Sequence, residues 1–500
     1  MGEEIAAESF SREDRRRYRE RLLQNLDTFD EYLSNAHFAD DRSIGLEVEL
    51  NLTDEHFDPA LRNADVLASV ADPSFQTEIG AYNIELNYPA LAIECDGLRR
   101  LEDGLRSRLD AADERARAVG AHLLMTGILP TIDENLLADD AWMSPETRYA
   151  ALNESVLQAR GEDVLLDIEG HESLHLYVQS LAPEAACTSV QLHVQVSPGG
   201  FASAWNAAQI IAGPQIALAA NSPTFIGKKL WHETRIELFG QAVDSRPPEM
   251  RNQGVRPRAW FGERWITSIF DLFEENVRYF PALIPEMAEA GKHQPGRLDG
   301  PPSLYELRLH NGTVWRWNRP IYDPHGKLPH LRVENRLLPA GPTVIDTVAN
   351  AAFYYGLVEI LQAADRPLWS RMAFSTAADN FYACAKHGLE AQVYWPGAGD
   401  VPVDELIVRR LLPLAAEGLD RLHVDSGTRD RYMDVLRERA TSNQNGAGWQ
   451  LETIAAYERE GHNRDSAVHS MVADYARGMH SNEPVHAWKI PGTHSVSHTL

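Results

Sequence analysis

The chain has 500 residues and a mass of 55.9 kDa, with 44 % hydrophobic and 24 % charged residues, a balance that predicts an ordinary water-soluble globular protein with room for two or three subdomains. Lys and Arg total 47 against 73 Asp and Glu, and the resulting net charge of −26 repels nucleic-acid phosphates and anionic membranes, which sets both aside as partners. Three cysteines (Cys95, Cys187 and Cys384), none in CxxC spacing, exclude a disulfide framework and a zinc ribbon.

In chain order, Met1 to Ile5 is acidic and opens no apolar signal segment, so the expected compartment is the reducing cytoplasm. Residues 1–41 are predicted to form a helical N-terminal arm, with Leu22, Leu23, Leu26, Phe29 and Leu33 as its apolar stripe. Residues 42–342 mix period-2 segments with helices such as Leu98–Val119 and Ala259–Phe280, and are expected to form an α+β catalytic domain. Ala207 to Ala220 is the longest nearly apolar run, too short to span a bilayer. Residues 343–500 change grammar to helices: Thr343–Ala364, Ser370–His387, Val403–Gly418, Thr428–Ala440 and Asp465–His480. Gly397–Asp400 and Ser442–Gly448 read as loops within this helical domain, and the His-rich stretch His480–His498 reads as surface.

Five segments share one grammar. Alternate side chains of a strand point to opposite faces. In Ser43–Leu52, Glu47, Glu49 and Asn51 oppose Ile44, Leu46, Val48, Leu50 and Leu52. In Asn83–Tyr88, Glu85 and Asn87 oppose Ile84, Leu86 and Tyr88, with Glu78 just upstream of a turn containing Gly80. Ser189–Val196 aligns Gln191, His193 and Gln195; Leu304–His310 aligns Glu306, Arg308 and His310 before an Asn311-Gly312 hairpin signal; Leu331–Leu337 aligns Arg332, Glu334 and Arg336.

The plain alternative is a set of half-buried strands whose polar faces meet water. Glu47 and Glu49, about 7 Å apart on one face, would then repel at a cost of about 2 kcal/mol at an effective dielectric near 20. Several Glu, one His and several Arg collected on strand faces make better sense around hard divalent cations and a phosphate-bearing ligand. No GxxxxGK[ST], no GxGxxG after a strand and no GxSxG occurs. Trp315 and Trp317 could stack a base, although aromatics in this pattern are more often core.

Ile44-Gly-Leu-Glu-Val-Glu-Leu50, Phe75 to Pro89, Thr188 to Val196, Ala220-Asn-Ser-Pro-Thr224, Arg332-Val-Glu-Asn-Arg336 and Pro484-Val-His-Ala-Trp488 occur in the order found in one known family. The chain resembles the glutamate–cysteine ligases of the second type, bacterial carboxylate–amine ligases within the glutamine synthetase-like superfamily. The resemblance implies a curved, mainly antiparallel sheet with a concave carboxylate-lined face, helices packed outside it, and a helical C-terminal part. It implies Glu47, Glu49, Glu78, Glu85, His193 and Glu334 as ligands of Mg²⁺ or Mn²⁺, and Arg336 with Arg332 beside it on the phosphates of ATP. Arg235, in Trp231-His-Glu-Thr-Arg235, is implied to bind substrate or phosphate.

The expected reaction is ATP-dependent formation of an amide from small amino-acid substrates through an acyl phosphate, with γ-glutamylcysteine from glutamate and cysteine as the first choice. A ligase using another amine or carboxylate, a two-metal phosphohydrolase and a non-catalytic paralogue stay open at this point, and so does a homo-oligomer.

Overall fold

A computed structural model describes residues 10–288 and 300–492. Seven strands form one sheet: β1 (Ile44–Thr53), β2 (Phe75–Thr77), β3 (Asn83–Leu91), β4 (His122–Leu124), β5 (Ser189–Val196), β6 (Asn318–Asp323) and β7 (His330–Pro339), in the order β6-β7-β5-β1-β3-β2 with β4 beside the end of β1. Every pairing is antiparallel. The sheet curls, and the helical C-terminal part packs against it, giving the expected α+β fold of a curved antiparallel sheet with helices outside it.

The alternation read from the sequence decides which face is which. Ile44, Leu46, Val48, Leu50 and Leu52 of β1, Ile84 and Leu86 of β3, Val190 and Leu192 of β5, and Leu331 and Val333 of β7 are all buried. Burying each such side chain is worth about 1.5–3 kcal/mol. Helices Phe201–Ile210, Ala212–Ala219 and Val344–Gln362 close over this apolar face. Val344–Gln362 is long and apolar enough to cross a membrane, but 94 % of its apolar window is buried inside the fold, the behaviour of a core helix. It meets helix Leu412–Arg421 at two glycines, and a Cβ on Gly418 would lie 1.8 Å from the Gly356 carbonyl oxygen.

The N-terminal arm is a helix over Arg12–Asn35, opened by a reciprocal Ser11–Asp14 cap. It buries Tyr18, Leu22, Leu26 and Phe29, and leaves Leu23 of the expected stripe exposed. The C-terminal helices are tied to the sheet half through Glu102, which accepts from Arg431 at 2.9 Å, Tyr432 at 2.7 Å and Asn482 at 3.2 Å.

Four local expectations are overturned. Leu304–His310 is no strand: Tyr305–Gly312 is a helix that buries Glu306, Leu307, His310 and Asn311, a spacing of i, i+1, i+4, i+5. So short a run fits either period, and tertiary packing chose the helix. Glu306 therefore leaves the sheet face and accepts from Asn25 Nδ2 at 2.8 Å. Ala259–Phe280 is helical only over Ile269–Tyr279, because Gly262 takes a φ of +130° and Ser268 with Asp271 forms a fresh capping box. Gly397–Asp400 belongs to a hairpin, Gln392–Trp395 with Gly399–Pro402, turned by Gly397 and Gly399 at positive φ. The Ser442–Gly448 loop ends early, since Asn445 caps a helix over Gly446–Arg459. Of the His-rich C-terminal stretch, residues 493–500 lie outside the described residues.

Candidate active site

The register of the sheet builds the site. Across β1 and β3, Glu49 faces Glu85 and Glu47 faces Asn87. Across β1 and β5, Glu47 faces Gln191. Across β5 and β7, His193 faces Glu334, and across β7 and β6, Glu334 faces Arg319. Glu78 joins from the turn before β3, where the Ser144 hydroxyl donates to its backbone carbonyl and Gly80 bridges to Met143.

All six ligands implied by the resemblance thus gather on the concave face, in two groups. Glu47, His193 and Glu334 offer atoms within 4.8 Å of one another, and so do Glu49, Glu78 and Glu85. Gln191 links the groups: its Nε2 donates to Glu49 Oε1 at 2.9 Å, and its Oε1 accepts from Arg336 Nη1 at 2.7 Å.

The groups differ electrostatically. Burial works to raise the Glu47 carboxyl, but the facing His193 imidazole overrides it and holds it down at about 2. Glu334 is also held well below the carboxylate range, burial being outweighed by Arg319 and Arg336. Arg319 grips it with two nitrogens, at 2.5 and 2.8 Å. In the second group, burial and then repulsion from Glu78 push Glu49 up to about 7. Burial, then Glu47 and Glu78, drives Glu85 well above its ordinary value. Three buried carboxyls that Arg336 and Arg148 compensate only in part form a donor set suited to a hard divalent cation. In the first group, both ring nitrogens of His193 are buried without a hydrogen bond of acceptable geometry, although Nε2 lies 3.1 Å from Glu47 Oε1. An imidazole left this way between two carboxylates also suits a metal.

Arg336 takes its place by strand alternation, on the face of Arg332 and Glu334. The register of β7 then shifts between Asn335 and Leu338, and Leu337 and Leu338 both turn into the core. Arg336 Nη1 contacts Gln191 and, at 3.2 Å, Glu334 Oε2. Arg332 lies further out, bonded to Asp323 at 3.0 Å. Arg235 sits deeper, its Nε on Glu233 at 3.0 Å and its Nη2 on the Leu337 carbonyl.

Two connected chambers open on this face. The outer one, about 330 Å³, is lined by the five glutamates of the two ligand groups, by Arg308, Arg319 and Arg332, and by Phe273 and Tyr322. The inner one, about 70 Å³, shares Glu49, Glu78, Glu184, Trp315 and Arg336 with it and continues to Cys187, Arg235 and Trp317. Trp317 does not stand free to stack a base, since it packs on Phe239 and Phe381 with Arg235 over its ring at 5.8 Å.

Sequence reasoning passed over Arg319, Gln191 as a linker, and Glu184. Arg319 precedes Pro320, which obscures a strand, yet β6 is an edge strand where proline is tolerated. Glu184 lies on the four-residue helix Ala182–Ala185, too short to show a period.

A curled antiparallel sheet carrying paired acidic groups and a row of arginines on its concave face defines an ATP-dependent ligase of the carboxylate–amine class. The sequence profile of glutamate–cysteine ligase family 2 (GCS2) matches residues 43–471, and the chain belongs to that family. No curated protein matches the chain in sequence. Among solved structures, the fold is similar to glutamate–cysteine ligase from Francisella tularensis in complex with AMP, at a TM-score of 0.55 and 11 % identity over 91 % of each chain. It is also similar to a bifunctional glutathione synthetase from Pasteurella multocida, at a TM-score of 0.50 and 12 % identity, covering 91 % of this chain and 54 % of that one.

Proposed function

We propose that the protein condenses the carboxylate of one amino-acid substrate with the amine of another through an acyl phosphate, converting ATP to ADP and phosphate, and that glutamate and cysteine are the pair. The observation that carries this reading is the placement of Arg336 between the two acidic groups, at the junction of the two chambers. Glu47, His193 and Glu334 would hold one divalent cation, Mg²⁺ or Mn²⁺, and Glu49, Glu78 and Glu85 another. Such cations, when bound, screen the charge of the triphosphate and polarise its phosphoryl oxygens.

The chain's own part is positioning. Arg336, Arg319 and Arg332 line the outer chamber, where guanidinium forks would bind triphosphate oxygens. Arg336, at the junction, would stabilise the equatorial charge as the γ-phosphoryl group passes to the substrate carboxylate. The amine then displaces phosphate from the activated carbonyl. No side-chain nucleophile is required, in keeping with a site made of carboxylates and arginines.

The test is phosphate release from ATP and Mg²⁺ across a panel of amino-acid pairs, with mass spectrometry of the products. Glutamate with cysteine should give a product of their summed mass less water, together with ADP. AMP and pyrophosphate would overturn the acyl phosphate. Phosphate release independent of any amino acid would make the protein a phosphohydrolase. Activity confined to other pairs would keep the ligase and discard cysteine.

A further inference from the structure

The inner chamber holds a carboxyl group that the nucleotide and metal chemistry leaves unused. Glu184 stands outside both ligand groups. Its Oε2 is buried without a hydrogen bond, and its carboxyl makes no ion pair among the described residues. A buried acceptor left without a donor is costly, so this carboxyl calls for a ligand that brings N–H groups. An ammonium brings three donors and a positive charge into a chamber also bordered by Glu49 and Glu78.

Position along the chamber distinguishes the two amino-acid substrates. Glu184 lines both chambers and so marks their junction, where the reactive groups meet, whereas Arg235 lines only the inner one. Two nitrogens of Arg235 are engaged by Glu233 and the Leu337 carbonyl, and Nη1 has no partner among the described residues. A donor substrate lying here would bring its reacting carboxylate among the carboxyls of Glu184, Glu49 and Glu78, which would have to take up protons to accept it. An acceptor α-amino acid would place its amine at the junction and its carboxylate at depth, matching Glu184 and then Arg235.

We infer that the inner chamber seats the amine substrate as an α-amino-acid zwitterion, its ammonium on Glu184 and its carboxylate on Arg235 Nη1. This rests on the ligase reading for the direction of the substrate but not for the existence of the seat. It makes Glu184 a specificity-determining residue and disfavours simple amines that lack a carboxylate.

The experiment uses the full chain and its isosteric variant Glu184→Gln, with Glu184→Asp as a conservative partner. The KM of the amine substrate should rise roughly 10- to 100-fold in Glu184→Gln, as expected when a charge-assisted bond is lost, and rise less in Glu184→Asp. The KM values for ATP and for the carboxylate substrate, and the Mg²⁺ affinity, should stay within about 3-fold, because Glu184 stands outside both ligand groups and acts on Glu49 and Glu78 only through space. Thermal shifts with each of the twenty amino acids, without nucleotide, give a readout independent of turnover. Any amino acid that stabilises the parent protein should lose that effect in Glu184→Gln. The seat is refuted if the amine KM is unchanged, if Mg²⁺ affinity falls with it, or if no amino acid stabilises the parent. Stabilisation that depends on Glu184, without turnover of any pair, would sink the ligase and keep the seat. Turnover with an unaltered amine KM would do the reverse.

Discussion

Replacing Arg336 separates a catalytic guanidinium from a merely structural one. Arg336 faces Glu334 and also Glu49 and Glu47, and these carboxylates raise its own pKa against the opposing effect of burial. Removing a buried cation that compensates carboxylates costs about 3–5 kcal/mol. The lower end applies here, because Arg319 still grips Glu334 at 2.8 Å. At about 2.1 cal/mol/K per residue, 500 residues give an unfolding entropy near 1 kcal/mol/K, so Arg336→Ala should lower Tm by about 3 °C. Mg²⁺ should recover most of that loss, since a divalent cation also neutralises the carboxylates. It should not recover turnover, because the lost fork stabilises charge that develops only during phosphoryl transfer, and kcat should stay depressed on the order of 10³-fold. Arg336→Lys restores the charge but not the planar pair of donors, so it should regain Tm and little kcat. Thermal denaturation with EDTA or Mg²⁺, run beside phosphate release on both variants, makes the comparison. A lysine variant keeping more than about a third of parental kcat would refute the catalytic role and leave Arg336 a structural partner of its carboxylates.

The crowded second group predicts an unusual pH dependence. Burial and Glu78 raise Glu49 from 4.5 to about 7, and burial with Glu78 and Glu49 raises Glu184 to about 8. A carboxyl with a folded pKa above its unfolded value binds its proton more tightly when folded, so its stabilisation is complete below about pH 4.5 and fades as pH rises through 7 to 8. Tm in EDTA should therefore fall from about pH 5 to about pH 8, and Mg²⁺ should flatten the curve; a rising curve in EDTA would contradict the assignment. Glu85→Gln should weaken Mg²⁺ binding by roughly 10- to 100-fold in calorimetry while leaving Tm in EDTA unchanged or higher, and a drop in that Tm would show that Glu85 serves the fold. Gly418→Ala forces a Cβ against the Gly356 carbonyl and should cost about 1–3 kcal/mol, read as a Tm loss with unaltered KM values at low temperature.

Legibility in the sequence followed length and regularity. β1 shows its faces because ten residues alternate without a break, and β5 and most of β7 do the same. The acidic residues and the histidine implied as ligands fall on β1, β3, β5 and β7 or on the turn leading into β3, so the residues at the centre of the site were readable together. The rest depended on tertiary contacts. Tyr305–Gly312 became a helix through burial of Leu307, His310 and Asn311 against its surroundings, which eight residues cannot announce. The bulge after Arg336 leaves no mark in the composition of Arg332–Leu338, although it sends Leu337 and Leu338 inward together. Glu184 lies on an element with no period, and its meaning comes from the chamber that it borders.

The pairing of ligands directly across strands gives the site a second role during folding. Sliding β3 or β7 by two residues along its neighbour keeps apolar side chains inside and polar ones outside, so the core barely distinguishes that arrangement from the correct one. The same slide carries Glu85 away from Glu49, or Glu334 away from His193, by about 7 Å, too far to share a cation. A divalent ion held, as proposed, by both partners would therefore discriminate between registers that hydrophobic burial treats as equivalent, and the proposed catalytic requirement would double as a proofreading step for the sheet.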